Sequence, residues 1–115
     1  MIARLWSART TKAQSTRYLE HFWQSVVPSL RTFNGYVSSS VLLRSQGETV
    51  EILVTTVWQS LEAIDAFAGP DRETAVVASE AAALLTDYDR RVRHYEVARM
   101  DGLFFRQSPL PDKPN

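Results

Sequence analysis

The chain has 115 residues, of which 44% are hydrophobic and 23% charged, as expected for one ordinary globular domain with an apolar core. Lysine plus arginine and aspartate plus glutamate both number 13, so the net charge is zero, which argues against a general nucleic-acid binder with its basic surface. The absence of cysteine excludes a disulfide framework, a thiol nucleophile and a thiolate metal site.

Neither a membrane span nor a secretory leader is predicted. No apolar run approaches the roughly 20 residues that a membrane-spanning helix needs. The first residues, MIARLWSAR, carry charges at Arg4 and Arg9 and lack the long apolar segment of a signal peptide. We therefore expect a cytoplasmic protein that has no membrane partner.

The first predicted elements are a short strand and a longer helix. Residues 2–9 predict the strand, and one of its faces would carry Ile2, Arg4, Trp6 and Ala8. In the helix that follows, six apolar residues form one stripe at the helical period: Leu19, Phe22, Trp23, Val26, Val27 and Leu30. Pro28 is predicted to bend or end this helix, because proline lacks a backbone donor and clashes with the preceding turn.

The central part of the chain is predicted to form two paired strands. Residues 36–45 and 49–59 are rich in β-branched and apolar residues, and Gly47 lies in the tight connection between them. On the second of these strands, one face would carry Val50, Ile52, Val54, Thr56 and Trp58, and the other Leu53, Thr55 and Val57. Because both faces are largely apolar, this strand is predicted to be central and covered on both sides.

The second half of the chain predicts two helical segments and a last strand. Ser60 would cap a helix over residues 61–68. The alanine-rich residues 71–85 are helical by propensity, and residues 88–100 predict the last strand. Residues 100–115 are rich in proline and predict a C-terminal tail beyond a domain that ends near residue 99.

The element order β-α-β-β-α-β predicts an α+β fold of the ferredoxin-like type. In this fold an antiparallel four-stranded sheet carries its helices on one face. The other face would expose Leu53, Thr55 and Val57 of the third strand, which are largely apolar. A second copy of the same sheet is the simplest cover, so a homodimer is expected.

The predicted elements contain five characteristic stretches: MIARLW, YLEHFWQSVVPSLR, NGYVSSSVLLR, ILVTTVWQSLEAIDAFAG and RVRHYEV. Together they resemble the antibiotic biosynthesis monooxygenase-like family of dimeric α+β barrel proteins. The resemblance implies a protomer whose sheet pairs with a second one into a barrel, and a substrate cleft between sheet and helices. Some members of that family oxygenate aromatic polyketides without metal or flavin, close relatives degrade haem, and others isomerise or bind small molecules, so chemistry is implied less firmly than fold.

Four residues are candidates for this cleft. Trp58 matches the tryptophan that haem-degrading and polyketide-oxygenating relatives carry there, with core packing as the alternative. Trp6 and Phe22 would complete the pocket walls. His94 is the candidate catalytic residue, because imidazole exchanges a proton near neutral pH, with a place at the sheet edge or dimer seam as the alternative. Alternation groups His94 with Val92 and Glu96, and the pattern alone leaves open whether this set faces the cleft.

Haem and metal sites are not predicted. Trp6 stands where the haem-degrading relatives carry an asparagine, and residues 60–87 contain no histidine to bind haem iron. The two histidines, His21 and His94, are far apart in sequence and have no accompanying carboxylate motif, so no metal and no cofactor are expected. His21 is expected at the boundary of the helix stripe.

Two functions remain open on this basis. The first is a cofactor-independent monooxygenase-like homodimer that acts on a small aromatic or hydrophobic molecule. The second is a non-catalytic small-molecule-binding or structural protein of the same fold, which the small number of acid–base groups favours. Four arginines near the last strand, at positions 90, 91, 93 and 99, could form a salt-bridged edge or bind a carboxylate.

Overall fold

The structure, a computed structural model, describes residues 1–101 of the chain. The strands are β1 (Ile2–Thr11), β2 (Tyr36–Gln46), β3 (Thr49–Trp58), β4 (Asp87–Tyr88) and β5 (Arg93–Glu96). The helices are α1 (Lys12–His21), α2 (Val27–Leu30), α3 (Leu61–Ala68) and α4 (Ser79–Ala82), and a π-helical turn (Phe22–Val26) joins α1 to α2. From residue 102 onward, the predicted tail lies outside the described residues.

The strands form one antiparallel sheet in the order β2-β3-β1, with β4 and β5 both paired to the free edge of β1. This is the strand order of the ferredoxin-like fold, and it confirms the predicted α+β architecture. The last strand is in two pieces because its middle pairs elsewhere. Val92 N–H donates to the carbonyl of Glu73, and Ala75 N–H donates to the carbonyl of Arg90.

The two faces of the sheet differ in what covers them. The face that we call the inner face carries Val50, Ile52, Val54, Thr56 and Trp58 of β3, and all five are buried, as predicted. Tyr18, Phe22 and Val27 of the first helical region pack against this face. The outer face carries Leu53, which is half-buried, and Leu42, which is directly opposite and 54% exposed. The strand residues packed with the helices in the two hydrophobic clusters of residues 1–101 all belong to the inner face.

The first helical region differs from the prediction at Trp23. Of the two outcomes predicted for Pro28, a bend or an end, the helix does not end there but runs on to Leu30 through the π-helical turn. This wider turn, in which Val27 N–H reaches back five residues to the carbonyl of Phe22, relieves the clash that proline makes in a regular α-helix. It also changes the phase of the stripe, so Trp23 is 69% exposed.

Residues 71–85 form one helical turn, α4, instead of the helix that their composition predicts. The reason is that long-range hydrogen bonds hold the backbone of the first part of this segment. The guanidinium of Arg4 donates to the carbonyls of Arg72 and Thr74, and Thr74 forms an antiparallel bridge with Arg91. Tertiary contacts thus override a local propensity of a few tenths of a kcal/mol per residue.

The joint between β3 and α3 follows the prediction and depends on a glycine. Ser60 Oγ accepts a hydrogen bond from the Ala63 N–H at 3.1 Å and caps α3. Gln59 N–H donates to the carbonyl of Gly35 at 2.8 Å, which holds the preceding loop against the joint. A Cβ at position 35 would lie 2.5 Å from the Ala63 Cβ, so a larger residue does not fit there.

Loss of the Ser60 cap should weaken the protein measurably. Ser60→Ala removes the acceptor for one N–H of the first turn of α3, and we expect the free energy of unfolding to fall by about 1 kcal/mol. Equilibrium urea unfolding measures this loss. Ser29→Ala, at an exposed serine of α2, is the matched control and should change stability by less than about 0.5 kcal/mol. Equal losses in both variants would contradict the capping role.

Candidate functional site

A partly enclosed cavity of about 80 Å³ lies between the inner face of the sheet and the helices. Its walls are mostly apolar and come from every layer of the fold: Trp6, Tyr18, Phe22, Val26, Leu30, Val54, Phe67, Val76, Val77, Ala78, Ala81 and Val92. Polar side chains also line it, and they are Arg4, His21 and Thr56. An apolar cavity with a few convergent polar groups is the usual form of a small-molecule site.

Arg4 is the charged group of this cavity. It alternates onto the inner face of β1, and its side chain is only 5% exposed. Nη1 donates to the carbonyl of Arg72 and to His94 Nε2, and Nη2 donates to the carbonyl of Thr74 at 2.9 Å. Burial lowers the pKa of Arg4 to about 10, which still leaves the guanidinium positively charged at neutral pH.

His94 lies beside Arg4 and therefore belongs to the inner face. The register pairs Arg4 directly with His94 across β1 and β5, and Nε2 of His94 is 2.9 Å from Nη1 of Arg4. Because a guanidinium can only donate, Nε2 must accept and the ring is neutral with its proton on Nδ1. Burial, followed by the nearby charge of Arg4, lowers the pKa of His94, which favours the same neutral form. His94 is not itself among the residues that line the cavity.

His21 lines the cavity directly, which the sequence pattern did not predict. It is the last residue of α1, one position before the π-helical turn. Its Nε2 is buried and has no hydrogen-bond partner within residues 1–101. A buried polar atom without a partner costs about 1–3 kcal/mol, so such atoms call for an explanation. The spacing along α1 could have indicated this place, because His21 follows buried Tyr18 by three residues and therefore lies on the same side of the helix.

Trp6 and Phe22 are two of the residues expected at the cleft. Both line the cavity, and Phe22 is buried in the adjacent core. The indole N–H of Trp6 donates to the carbonyl of Asp89 at 2.8 Å, which fixes the ring plane. The rings of Tyr88 and Tyr18 lie 6.0 and 6.5 Å from it, so the Trp6 ring is held on two sides.

Trp58 lies one layer behind the cavity and does not line it. Its side chain is 0% exposed and is packed with Leu30 and Ile64. The indole N–H donates to Thr56 Oγ1 at 2.9 Å, and the ring stacks on Phe67 with centroids 5.4 Å apart. Because Thr56 and Phe67 both line the cavity, Trp58 supports two of its wall residues.

The arginines near the last strand do not converge on this cavity. Arg91 pairs with Asp71 and Glu73 at the surface, and Arg90 lies over the ring of Tyr88, 4.9 Å from its centroid. Neither arginine is among the cavity residues. Arg91 thus forms part of a salt-bridged edge. The cation that lines the cavity is Arg4.

Residues 1–101 contain neither a cluster of metal ligands nor a membrane-spanning helix. No group of three or more His, Asp or Glu side chains in this range is arranged to hold a metal ion. No helix in the same range is long and apolar enough to cross a membrane.

Comparison with known proteins identifies the family. The model of the antibiotic biosynthesis monooxygenase family matches residues 1–79. A solved structure from Bacillus cereus, whose name assigns it to the antibiotic biosynthesis monooxygenases, is 18% identical, with a TM-score of 0.63 and coverage of 90% of this chain and 96% of that chain. A second, from Deinococcus radiodurans and named likewise, is 13% identical, with a TM-score of 0.56 and coverage of 90% and 98%. These two likenesses concern the fold, and no curated protein matches the chain. Because the family model covers more than half of the sequence, the chain belongs to the antibiotic biosynthesis monooxygenase family.

Proposed function

We propose that this chain is a cofactor-independent monooxygenase-like protein that oxidises a small aromatic or hydrophobic molecule in the cavity between sheet and helices. The observation that carries the proposal is the composition of this cavity, in which aromatic and aliphatic walls surround a buried cation and an imidazole. Trp6 and Phe22 would hold the flat faces of the substrate. Trp58 would act from behind, by fixing Phe67 and Thr56 in the wall.

In such a reaction the substrate itself supplies the electrons. A ring CH₂ that becomes C=O takes up one atom of O₂, and the other oxygen atom leaves as water. The protein has to bind the substrate, exclude bulk water and favour the electron-rich, deprotonated form of the substrate. His94 is the proposed polar residue for this step. Its Nε2 is already bonded to Arg4, and this supports a role in orienting the substrate through Arg4 over direct proton abstraction.

Oxygen uptake with phenolic polyketides tests the proposed function. We expect wild-type protein to consume O₂ with at least one such compound, and His94→Ala, which removes the acceptor for Arg4 Nη1, to be slower by about 10- to 100-fold, as when a binding group is misplaced. His94→Gln retains an acceptor for Arg4 and should keep most of the activity, whereas an equal loss in His94→Gln would indicate proton exchange by the imidazole. Equal rates in wild type and His94→Ala would exclude the role of His94. Tight binding of the same compounds without any O₂ uptake would favour the non-catalytic alternative.

We further propose that the protein is a cytoplasmic homodimer in which the outer faces of two sheets cover one another. Supporting this, Leu42 and Tyr95 both lie on the outer face and are exposed in the protomer. An apolar sheet face of this kind needs a partner, and a twofold pairing of identical sheets supplies one that is complementary to itself.

A further inference from the structure

Within the described residues, 1–101, no carboxylate pairs with the charge of Arg4. The ion pairs among residues 1–101 involve Arg9, Arg44, Arg72 and Arg91, and none includes Arg4. Of the carboxylates near the Arg4–His94 pair, Asp65 is bound at both oxygens by Arg72, and Glu73 pairs with Arg91. The partners of Arg4 are all neutral. They are the carbonyls of Arg72 and Thr74, the ring of His94, and the face of Phe67, whose centroid is 5.5 Å from the guanidinium carbon. A buried cation whose partners are all neutral is uncommon, because no opposite charge offsets the free energy lost when the cation leaves water.

Part of the hydrogen-bonding capacity of Arg4 is also free for a ligand. A guanidinium has five N–H donors in a planar fork. Two on Nη1 and one on Nη2 are used for the carbonyls of Arg72 and Thr74 and for His94. The remaining two, on Nε and Nη2, are carried by neighbouring nitrogens, the arrangement that binds an oxyanion with two parallel hydrogen bonds.

We propose that the cavity binds its aromatic ligand as an oxyanion, a phenolate or an aryl carboxylate, with the negative oxygen on Arg4 and a second polar contact to Nε2 of His21. This inference rests on the proposed substrate site and names the class of molecule that fits it. Three features support it together: a cation 95% removed from solvent, an imidazole nitrogen without a partner within residues 1–101, and aromatic walls around both. A ligand with one anionic oxygen on an aromatic ring satisfies all three.

A purely structural role for Arg4 makes a different prediction. The carbonyls of Arg72 and Thr74 need a donor but no charge, so an arginine kept only for the backbone of residues 71–78 would give the cavity no preference between charged and neutral ligands. An arginine that binds the ligand should favour the anion even when size and shape are held constant.

Wild-type protein can be tested with pairs of ligands that differ in charge. The quenching of tryptophan fluorescence, checked by calorimetry, would give the dissociation constants of 4-nitrophenolate and neutral 4-nitroanisole, and of benzoate and benzamide. We expect the anion of at least one pair to bind 10-fold or more tightly than its neutral partner, and the favoured pair distinguishes phenolate from carboxylate. Equal binding within both pairs would overturn the inference.

Variants then assign the preference to Arg4. Arg4→Gln keeps donors for the two carbonyls but removes the charge, and it should reduce the anion preference to about one, whereas Arg4→Lys should keep part of it. The control is Arg17→Gln, at an exposed arginine of α1, which should bind like wild type. Circular dichroism confirms folding, and if Arg4→Gln does not fold, the wild-type ligand pairs decide alone. Neutral ligands that bind equally well and are still oxidised would overturn this inference but not the proposed function, whereas failure of every aromatic ligand to bind would overturn both.

Discussion

Trp58→Ala should lower the free energy of unfolding by about 3–5 kcal/mol, the range found when large buried aromatic residues are truncated. The indole is 0% exposed, and it contacts three aromatic rings, those of Phe33, Tyr36 and Phe67, with centroids 5.4–6.4 Å away. Its removal leaves a cavity at the centre of the cluster. It also leaves the hydroxyl of buried Thr56 without the indole N–H that donates to it. Equilibrium urea unfolding at a fixed protein concentration measures the loss.

Trp23→Ala is the matched control for this experiment. The same side chain is removed, but Trp23 is 69% exposed, and we expect a change below about 0.5 kcal/mol. A Trp58→Phe variant separates packing from hydrogen bonding, because it keeps a ring and loses the N–H donor. Similar losses for Trp58→Ala and Trp23→Ala would show that Trp58 is not the centre of the core.

The sequence predicted the face of the sheet on which Trp58 lies, but not that Trp58 lies outside the cavity. Strict alternation along β3 places Trp58 on the same face as Val50, Ile52 and Val54, and the structure confirms that this face is buried. Alternation cannot say how far along the strand the cavity extends. The extent of the cavity depends on residues distant in sequence, among them Leu30 and Ile64. These residues pack around the indole of Trp58, which therefore does not line the cavity.

The segment after α3 shows why the helix predicted over residues 71–85 was too long. Its alanines favour a helix by local propensity. However, the contacts of Arg72 and of the distant Arg4 fix the path of its backbone. Arg72 is held by Asp65, while its carbonyl accepts from Arg4, which is 68 positions earlier in the chain. A hydrogen bond between residues so far apart leaves no periodic signal, so a window of sequence cannot contain it.

The polar residues of the site were predictable to different degrees. The side on which His94 lies was open from alternation alone, and the pairing of Arg4 with His94 across β1 and β5 decides it. Arg4 itself did leave a signal, because it is the single charge on a strand face that otherwise carries Ile2, Trp6 and Ala8. A lone arginine on an apolar strand face is a reason to look for a buried ligand or partner. His21 shares one side of the regular helix α1 with buried Tyr18, so its place beside the core could be read from the spacing, whereas its buried nitrogen without a partner could not.

Leu42→Glu should dissociate the proposed homodimer. Leu42 lies on the outer face, directly opposite Leu53, and is 54% exposed in the protomer. Because it has few contacts within its own protomer, the substitution should leave the protomer folded. In the dimer, however, two added carboxylates would lose water without gaining a partner. We expect the dimer dissociation constant to rise about 100-fold or more, equivalent to about 3 kcal/mol. Sedimentation velocity over a range of concentrations measures it.

Leu43→Glu separates the outer face from a general effect of charge on β2. Leu43 is the next residue and is similarly exposed, at 45%, but it pairs with Ile52 and therefore points to the inner side of the sheet. A dimer formed through the outer faces should tolerate Leu43→Glu and not Leu42→Glu. A monomeric wild type, or equal dissociation in both variants, would contradict the outer-face dimer. Since the cavity lies on the inner side, a folded Leu42→Glu monomer that still binds aromatic ligands would show that the protomer contains a complete binding site.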